Sequence, residues 1–356
     1  MINTNTLFNY RPNDRIYGLH WNTSTQPALL TGRNGKWQLT ILDGETFAVS
    51  QEHTINYDFH EEIKDIALSD KLEKLLIFSK NEAIIFSFPE NSIISKLRRD
   101  TGFITGGFYD DNTIWFTVPA PAGSVDWAYW DLTTGGLQVY ELDRQDHYGR
   151  AAVLHPSKRL IGACFSAYAS GFLLHTAQAL NGQLYYANLE DDGCACREYE
   201  LYAPSFSLDG GRFAVIVNQF VSMEDQEKLC VYDMLHQSRP LLRLPLQGTA
   251  IGFTQNSYFT ANGGHIILQG KTAVDIVCIS GKSAPSTSRL SGTNAAFIAV
   301  SPVKNQFALV QGHQLCIYEI TDTPAPAVDN NSANAAADHF LQKYEEMLLP
   351  VGQFTD

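Results

Sequence analysis

Short apolar runs alternate with polar turns along almost the whole chain, and this combination recurs about every 47 residues. β-branched and aromatic residues dominate the runs, whereas Gly, Asp, Asn and Pro lie between them, which is the pattern of strands joined by tight hairpins. A unit of this length made only of strands cannot bury both of its faces alone, so neighbouring units must stack. The central turns of the units lie near Asn22, Ser69, Asp110, Pro156, Asp209, Gln255 and Pro302.

A third apolar run follows the second in each unit, for example at residues 37–42, 127–131 and 229–233, and a more variable fourth run closes most units. Four strands in each of seven stacked units predict an all-β fold, a seven-bladed β-propeller. An eight-bladed or otherwise divergent propeller is the alternative.

The last unit shows no fourth strand, because a Thr-, Pro-, Ala- and Asn-rich stretch follows Ile320. The N-terminal segment 6–10 has the alternation of a strand, and pairing it with the last unit would remove an open sheet edge. We therefore predict that the N-terminal strand closes the last blade, with Leu7 near Cys316.

Three aromatic–acidic pairs end third strands: Trp130-Asp131, Tyr232-Asp233 and Tyr318-Glu319. On these pairs and the repeat length, residues 6–320 resemble the WD40-like propeller family. The resemblance implies the propeller architecture.

The sequence divides into a propeller over residues 1–322, a linker over 323–334 and a C-terminal amphipathic helix over 335–350. Pro350 ends the helix, whose apolar residues fall on one face. A helix this short must dock, either on its own propeller or in a partner's groove. The docking residues are Phe340, Leu341, Tyr344, Met347 and Leu348.

The formal net charge of −13 argues against direct binding to nucleic acid and favours a basic protein partner. No apolar run approaches the length of a membrane span, and the polar first residues lack the core of a signal peptide. Most of the six cysteines lie in apolar strand patterns, where free buried thiols are expected. The expected location is the cytoplasm.

No pattern indicates a cofactor or a metal. Cys194 and Cys196 form a C-x-C pair, but no second pair exists to complete a zinc site. His60, Asp146 and His147 lie in connections between units, where ligands of propellers gather near the axis. A histidine beside carboxylates can act as a general base or metal ligand, although solvated loop polarity explains the same residues.

The connections between second and third strands are short except in blades three, four and five, at residues 119–126, 167–181 and 218–227. Apolar side chains in these connections indicate an interface or self-packing of the loops. The candidate partner-binding residues are Pro119, Val125, Phe172, Leu173, Phe220, Val221 and Met223.

The leading hypothesis is a non-enzymatic interaction platform or regulatory subunit that binds a partner protein through this face. One alternative is a propeller enzyme, a hydrolase or lyase, with a metal or general base at the axial mouth. The other is a subunit of a fixed assembly that is tethered by the C-terminal helix.

Overall fold

The computed structural model describes most of the residues of the chain. They are 2–21, 25–121, 124–140, 147–167, 170–176, 183–188, 199–221, 224–234, 240–246, 254–279, 285–290, 295–321, 334–339 and 341–342. No helix within them is long and apolar enough to span a bilayer.

Strands β1 to β28, numbered in chain order, pair into seven four-stranded antiparallel sheets. Six sheets consist of four consecutive strands each, and we name them blades 1 to 6. Blade 1 contains β2 (Ile16–Trp21), β3 (Pro27–Arg33), β4 (Lys36–Leu42) and β5 (Val49–Asn56). Blade 2 contains β6 (Ile63–Leu68), β7 (Lys74–Ser79), β8 (Glu82–Ser87) and β9 (Ser92–Arg98). Blade 3 contains β10 (Thr105–Asp110), β11 (Thr113–Pro119), β12 (Val125–Asp131) and β13 (Leu137–Tyr140).

Blade 4 contains β14 (His147–Leu154), β15 (Leu160–Ala167), β16 (Ser170–Thr176) and β17 (Gln183–Asn188). Blade 5 contains β18 (Tyr199–Phe206), β19 (Arg212–Val221), β20 (Glu224–Asp233) and β21 (Leu242–Pro245). Blade 6 contains β22 (Thr254–Phe259), β23 (His265–Gly270), β24 (Val274–Cys278) and β25 (Ser286–Leu290).

The seventh sheet, which we name the closing sheet, combines both ends of the chain. It contains β26 (Phe297–Val300), β27 (Gln306–Gln311), β28 (Gln314–Ile320) and, at its outer edge, β1 (Thr4–Tyr10). The sequence predicts seven blades, whereas six are counted when a blade is a unit of consecutive strands. The difference arises because the closing sheet borrows its fourth strand from the N-terminus.

The pairing of the N-terminal strand with the last strand is confirmed, but its register differs from the predicted one. Asn9, rather than Leu7, lies opposite Cys316, and the register shifts by one residue between Thr6 and Phe8. This bulge leaves Leu7 40% exposed, whereas Phe8 is half-buried and its ring lies 5.8 Å from that of Phe47 in blade 1.

Apolar clusters join each sheet to the next. Leu30 and Ile55 of blade 1 pack with Ile66 and Leu75 of blade 2, and equivalent clusters follow around the molecule. A last cluster joins the closing sheet to blade 1. The sheets therefore form a ring with their faces packed together, which confirms the predicted β-propeller architecture.

A recurrent turn between the first and second strands gives the sequence its period. In blade 5 the Ser207 N–H donates to the carbonyl of Arg212 at 3.0 Å, and the Ser207 hydroxyl accepts the N–H of Arg212 at 2.9 Å. Gly210 follows at φ +68°, a left-handed conformation that suits glycine. A buried Ser, Thr or His occupies the position of Ser207 in four other sheets: Ser69, His155, Thr260 and Ser301.

The C-terminal helix, α1, covers residues 334–339 and 341–342 in the described part of the chain. It begins at the last residue of the predicted linker, and the rest of that linker, with Phe340, Tyr344, Met347 and Leu348, lies outside the described residues. Leu341 packs against an apolar cluster between blades 4 and 5. The described part of α1 therefore docks on its own propeller.

The closure predicts that two adjacent residues of β1 differ sharply in their effect on stability. Phe8→Ala removes a ring from the cluster between the closing sheet and blade 1, and should lower the free energy of unfolding by about 1–3 kcal/mol. Leu7→Ala, at the exposed bulge, should change it by less than about 0.5 kcal/mol. Urea unfolding of both variants checks this, and equal effects would contradict the register.

Candidate interaction surface

Two of the three predicted loops, 167–181 and 218–227, are strand wherever the structure describes them. Residues 218–227 belong to the hairpin of β19 and β20, in which Val221 lies opposite Glu224. Residues 170–176 form β16 rather than a loop. The apolar residues in these segments therefore follow from strand pairing, which corrects the loop assignment.

The blade 5 hairpin is longer than its equivalents. Both of its strands have ten residues, against six in β23 of blade 6 and six in β7 of blade 2. In all three blades the second strand begins five residues after the buried Ser or Thr of the recurrent turn. Aligned on that turn, residues 218–221 and 224–227 have no equivalent in blades 2 and 6, and we name them the hairpin extension. The second strand of blade 4, β15, begins at the same place and is two residues shorter than β19. Four additional residues per strand lengthen the hairpin by about 13 Å.

Apolar and acidic positions pair with each other across the hairpin extension. Phe220 lies opposite Asp225 and Val221 opposite Glu224, while Met223 lies outside the described residues. The returning strand carries Glu224, Asp225 and Glu227 before its first basic residue. The extension therefore combines two apolar residues with three carboxylates.

Polar groups fix the base of the hairpin extension. The Tyr202 hydroxyl of the first strand donates to the carboxylate of Glu227, which lies opposite Asn218. Asn218 is fully buried, and neither atom of its side-chain amide has a hydrogen-bond partner in the described part of the protein. An unpaired buried amide is costly, so the described polar contact that holds the base is the hydrogen bond between Tyr202 and Glu227.

The described ends of the connection in blade 3 are hydrogen-bonded to each other. Pro119 ends β11 opposite Val125, which begins β12 and is only 7% exposed. The N–H of Ala120 donates to the carbonyl of Ser124 at 2.9 Å, and the Ser124 hydroxyl donates to the carbonyl of Pro121 at 2.7 Å. Val125 is therefore a buried strand residue rather than an exposed loop residue.

Two candidate residues of blade 4 lie within its sheet. Phe172 in β16 pairs with Cys164 and Ala187, and Leu173 pairs with Ala163 and Tyr186. Both have strands on either side, which explains why the sequence is apolar there. Of the residues assigned to the partner face, Phe220 and Val221 remain in a segment that extends beyond the blades.

His60 lies beside a carboxylate that its sequence neighbours do not reveal. Its backbone N–H donates to Glu82 Oε2 at 3.3 Å, and its Nε2 lies 3.9 Å from Glu82 Oε1. The His60 side chain is 67% exposed, whereas that of Glu82 is 9% exposed. Glu82 comes from the β7–β8 hairpin, so only the pairing of strands brings it to His60.

The other two residues of the predicted axial site are not brought to His60 by any described contact. Asp146 lies outside the described residues, and His147 begins β14 opposite Ala167. No group of three metal-ligating side chains occurs within the described residues.

The connection that carries His60 is held by aromatic residues. Trp37 Nε1 donates to the carbonyl of Tyr57 at 2.7 Å, and the rings of Tyr57 and Phe59 meet edge to face at 4.7 Å. Lys96 Nζ lies 4.8 Å from the centre of the Tyr57 ring. The aromatic face at this point already carries a cation of the same chain.

Titratable groups on the first strands of three blades have displaced pKa values. Burial raises the pKa of Asp65 in β6 to about 7, although its carboxylate accepts the N–H of Ile66 at 2.8 Å. Burial, and then the charge of Asp65, raise the pKa of Tyr258 in β22. Burial lowers the pKa of His20 in β2 to about 4. A neutral form is therefore favoured at each of these positions.

Comparisons with known proteins bear on the fold alone. No protein-family model matches the chain, and no curated protein matches it. Among solved structures, hydrazine synthase of Kuenenia stuttgartiensis aligns over 90% of this chain and 98% of its own, with a TM-score of 0.65 and 10% identity. The Cps50 (Swd1) β-propeller domain of Myceliophteria thermophila aligns over 90% and 100%, with a TM-score of 0.62 and 14% identity. The chain has a β-propeller fold. At these identities the likeness extends to the architecture and not to activity or partners.

The pKa of Asp65 predicts a measurable dependence of stability on pH. The unfolded carboxyl titrates near 3.8 and the folded one near 7, so the folded protein holds this proton more tightly between these values. The free energy of unfolding therefore falls as the pH rises through this window. Asp65→Asn should remove that loss and exceed the wild type in stability at pH 8 by about 1–2 kcal/mol, a value reduced for partial solvent exposure.

Urea unfolding at pH 5 and pH 8 measures the effect of Asp65→Asn. Asp58→Asn, at an exposed position in the preceding connection, is the matched control. If Asp65→Asn kept the full pH dependence of the wild type, the raised pKa of Asp65 would be wrong.

Proposed function

We propose that this protein is a non-enzymatic interaction platform that binds a basic protein partner through the hairpin extension of blade 5. The length of this hairpin carries the proposal. Aligned on the recurrent turn, blade 5 continues for four residues where blades 2 and 6 end. A rigid ring that presents one lengthened hairpin can recognise a partner without altering its core.

The composition of the hairpin extension supports a basic partner. Glu224, Asp225 and Glu227 accompany Phe220 and Val221, and the whole chain has a formal net charge of −13. Apolar anchors bordered by carboxylates suit a segment that offers Lys or Arg side chains around apolar ones. The sequence predicts a partner face on blades three, four and five, whereas the surface proposed here lies on blade 5 alone.

The closing sheet contributes to this function by completing the ring that holds blade 5. We propose that it serves as a seventh blade, because its four strands pair like those of the other sheets and it packs against blades 6 and 1. Both chain ends then contribute to one sheet, and β1 covers the edge of β28 that would otherwise be unpaired. A closed ring keeps blade 5 fixed relative to the other blades.

A propeller enzyme is a second candidate, and the proximity of His60 and Glu82 is the observation in its favour. An imidazole beside a carboxylate can act as a general base. The described residues supply no third metal-ligating group there. The His60–Glu82 pair therefore supports an enzyme less strongly than the hairpin extension supports an interaction platform.

Charge reversal in the hairpin extension tests the platform. The double variant Glu224→Lys/Asp225→Lys should lower capture of a basic partner from an extract of the native host at least tenfold, because it replaces two attractive charges by repulsive ones. Phe220→Ala/Val221→Ala should lower it by removing the apolar anchors. The melting temperature of both should stay within about 2 °C of the wild type, since the extension lies beyond the blades.

Quantitative mass spectrometry of the captured proteins, followed by binding measurements with the purified partner, gives the readout. Glu52→Lys, at an exposed position of β5 in blade 1, is the matched control and should capture the partner like the wild type. If every captured protein were retained equally by the hairpin variants, the proposed surface would be wrong.

A further inference from the structure

The helix α1 occupies the junction between blades 4 and 5. Ala337 is fully buried in the apolar cluster that joins these blades, and Leu341 packs against the same cluster. Blade 4 contributes Leu160 and Cys164 to this cluster, and blade 5 contributes most of the rest. One short helix thus packs against an apolar cluster that is formed by residues of two blades.

An ion pair fixes where the helix lies along the junction. Arg159, in the recurrent turn of blade 4, pairs with Asp338, the residue after Ala337. The helix therefore contacts the junction at the side of the recurrent turns. The hairpin extension lies at the other end of β19, because that strand runs away from its recurrent turn.

The cluster under the helix continues toward the hairpin extension. Phe213, Val215 and Val217, at alternate positions of β19, all belong to it. Val217 is the last residue before the extension, whose first residue is Asn218. A single apolar cluster therefore extends from the helix to the base of the hairpin.

Blades 4 and 5 fit together closely in this cluster. A Cβ atom at Gly162 would lie 2.7 Å from the Phe213 ring and 2.9 Å from the Phe206 ring. The two blades therefore approach as near as a glycine allows. A shift of one blade would therefore move the other, because close packing leaves no free space between them.

The contacts of the helix are weak enough to be reversible. Its described apolar contacts come from one alanine and one partly buried leucine. The side chains of the Arg159–Asp338 pair are 43% and 64% exposed, so water screens their attraction. A helix of this length is also marginal when it is undocked. Elements with so few buried contacts open at a low free energy.

We infer that α1 is a reversible lock on blades 4 and 5, and that its release loosens the hairpin extension through their shared apolar cluster. The docked helix holds the base of the hairpin in one conformation, and the released helix leaves that base more mobile. Regulation of partner binding by this lock rests on the proposed function. The coupling itself does not, because it is measured on the protein alone.

Hydrogen exchange of the full-length chain tests the coupling. Ala337→Arg places a long charged side chain at a fully buried position and should prevent docking, whereas Ala335→Arg, on an exposed position of the same helix, should not. We expect Ala337→Arg to accelerate exchange at least tenfold in α1 and in residues 213–221, with blades 1 and 2 unchanged. Acceleration confined to the helix would overturn the coupling, and so would equal effects of the two variants.

A pair of charge-reversal variants provides a second test, which does not depend on whether Ala337→Arg folds. Arg159→Glu and Asp338→Arg should each accelerate exchange in residues 213–221, and the double variant, which restores an ion pair, should reverse the effect. No acceleration by either single variant, or no recovery in the double variant, would count against the lock. If this exchange behaves as expected while hairpin variants leave partner capture unchanged, the proposed function fails and the lock stands.

Discussion

The packing of one sheet face against the next is the interaction on which this structure depends. Each four-stranded sheet has two apolar faces, and each face is buried only because a neighbouring sheet covers it. A row of such sheets would leave one face uncovered at each end. Closing the row into a ring removes both exposed faces, and the pairing of β1 with β28 ties the two ends of the chain together where the ring meets.

The need for each sheet to pack against its neighbours also explains which parts of a blade can differ from the other blades. Residues within the ring must match the neighbouring sheet, as the approach of Phe213 to Gly162 shows. Beyond the ring, strand length is free to change, and blade 5 uses that freedom in its hairpin extension. The helix α1 lies against the opposite end of the same blade, and the apolar cluster under it reaches Val217, the residue before the extension.

Much of this architecture could be predicted from the sequence, because alternating apolar runs and Asp-Gly turns report strands and hairpins directly. The terminal pairing was predictable for the same reason, since the last unit lacks a strand that residues 6–10 can supply. Its register was not, because the bulge between Thr6 and Phe8 moves the partner of Cys316 one residue along the strand, from Phe8 to Asn9. The seven-blade prediction counted the closing sheet like the others, although its strands are not consecutive.

The candidate site was less predictable, because it depends on contacts between distant residues. The polar residues around Phe220 resemble a loop in sequence, yet they pair as strands. Glu82 reaches His60 only through the fold, and Ala337 is too small to stand out on a helical face.

The ring depends on its closure by both ends of the chain, and a cross-link measures that closure directly. Opposed residues of antiparallel strands have Cα atoms within the range that a disulfide spans. Asn9→Cys should therefore form a disulfide with Cys316 under mild oxidation, identified by mass spectrometry of the digested protein. Leu7→Cys should form none. A bond from Leu7→Cys instead, or none from Asn9→Cys, would contradict the closure as described.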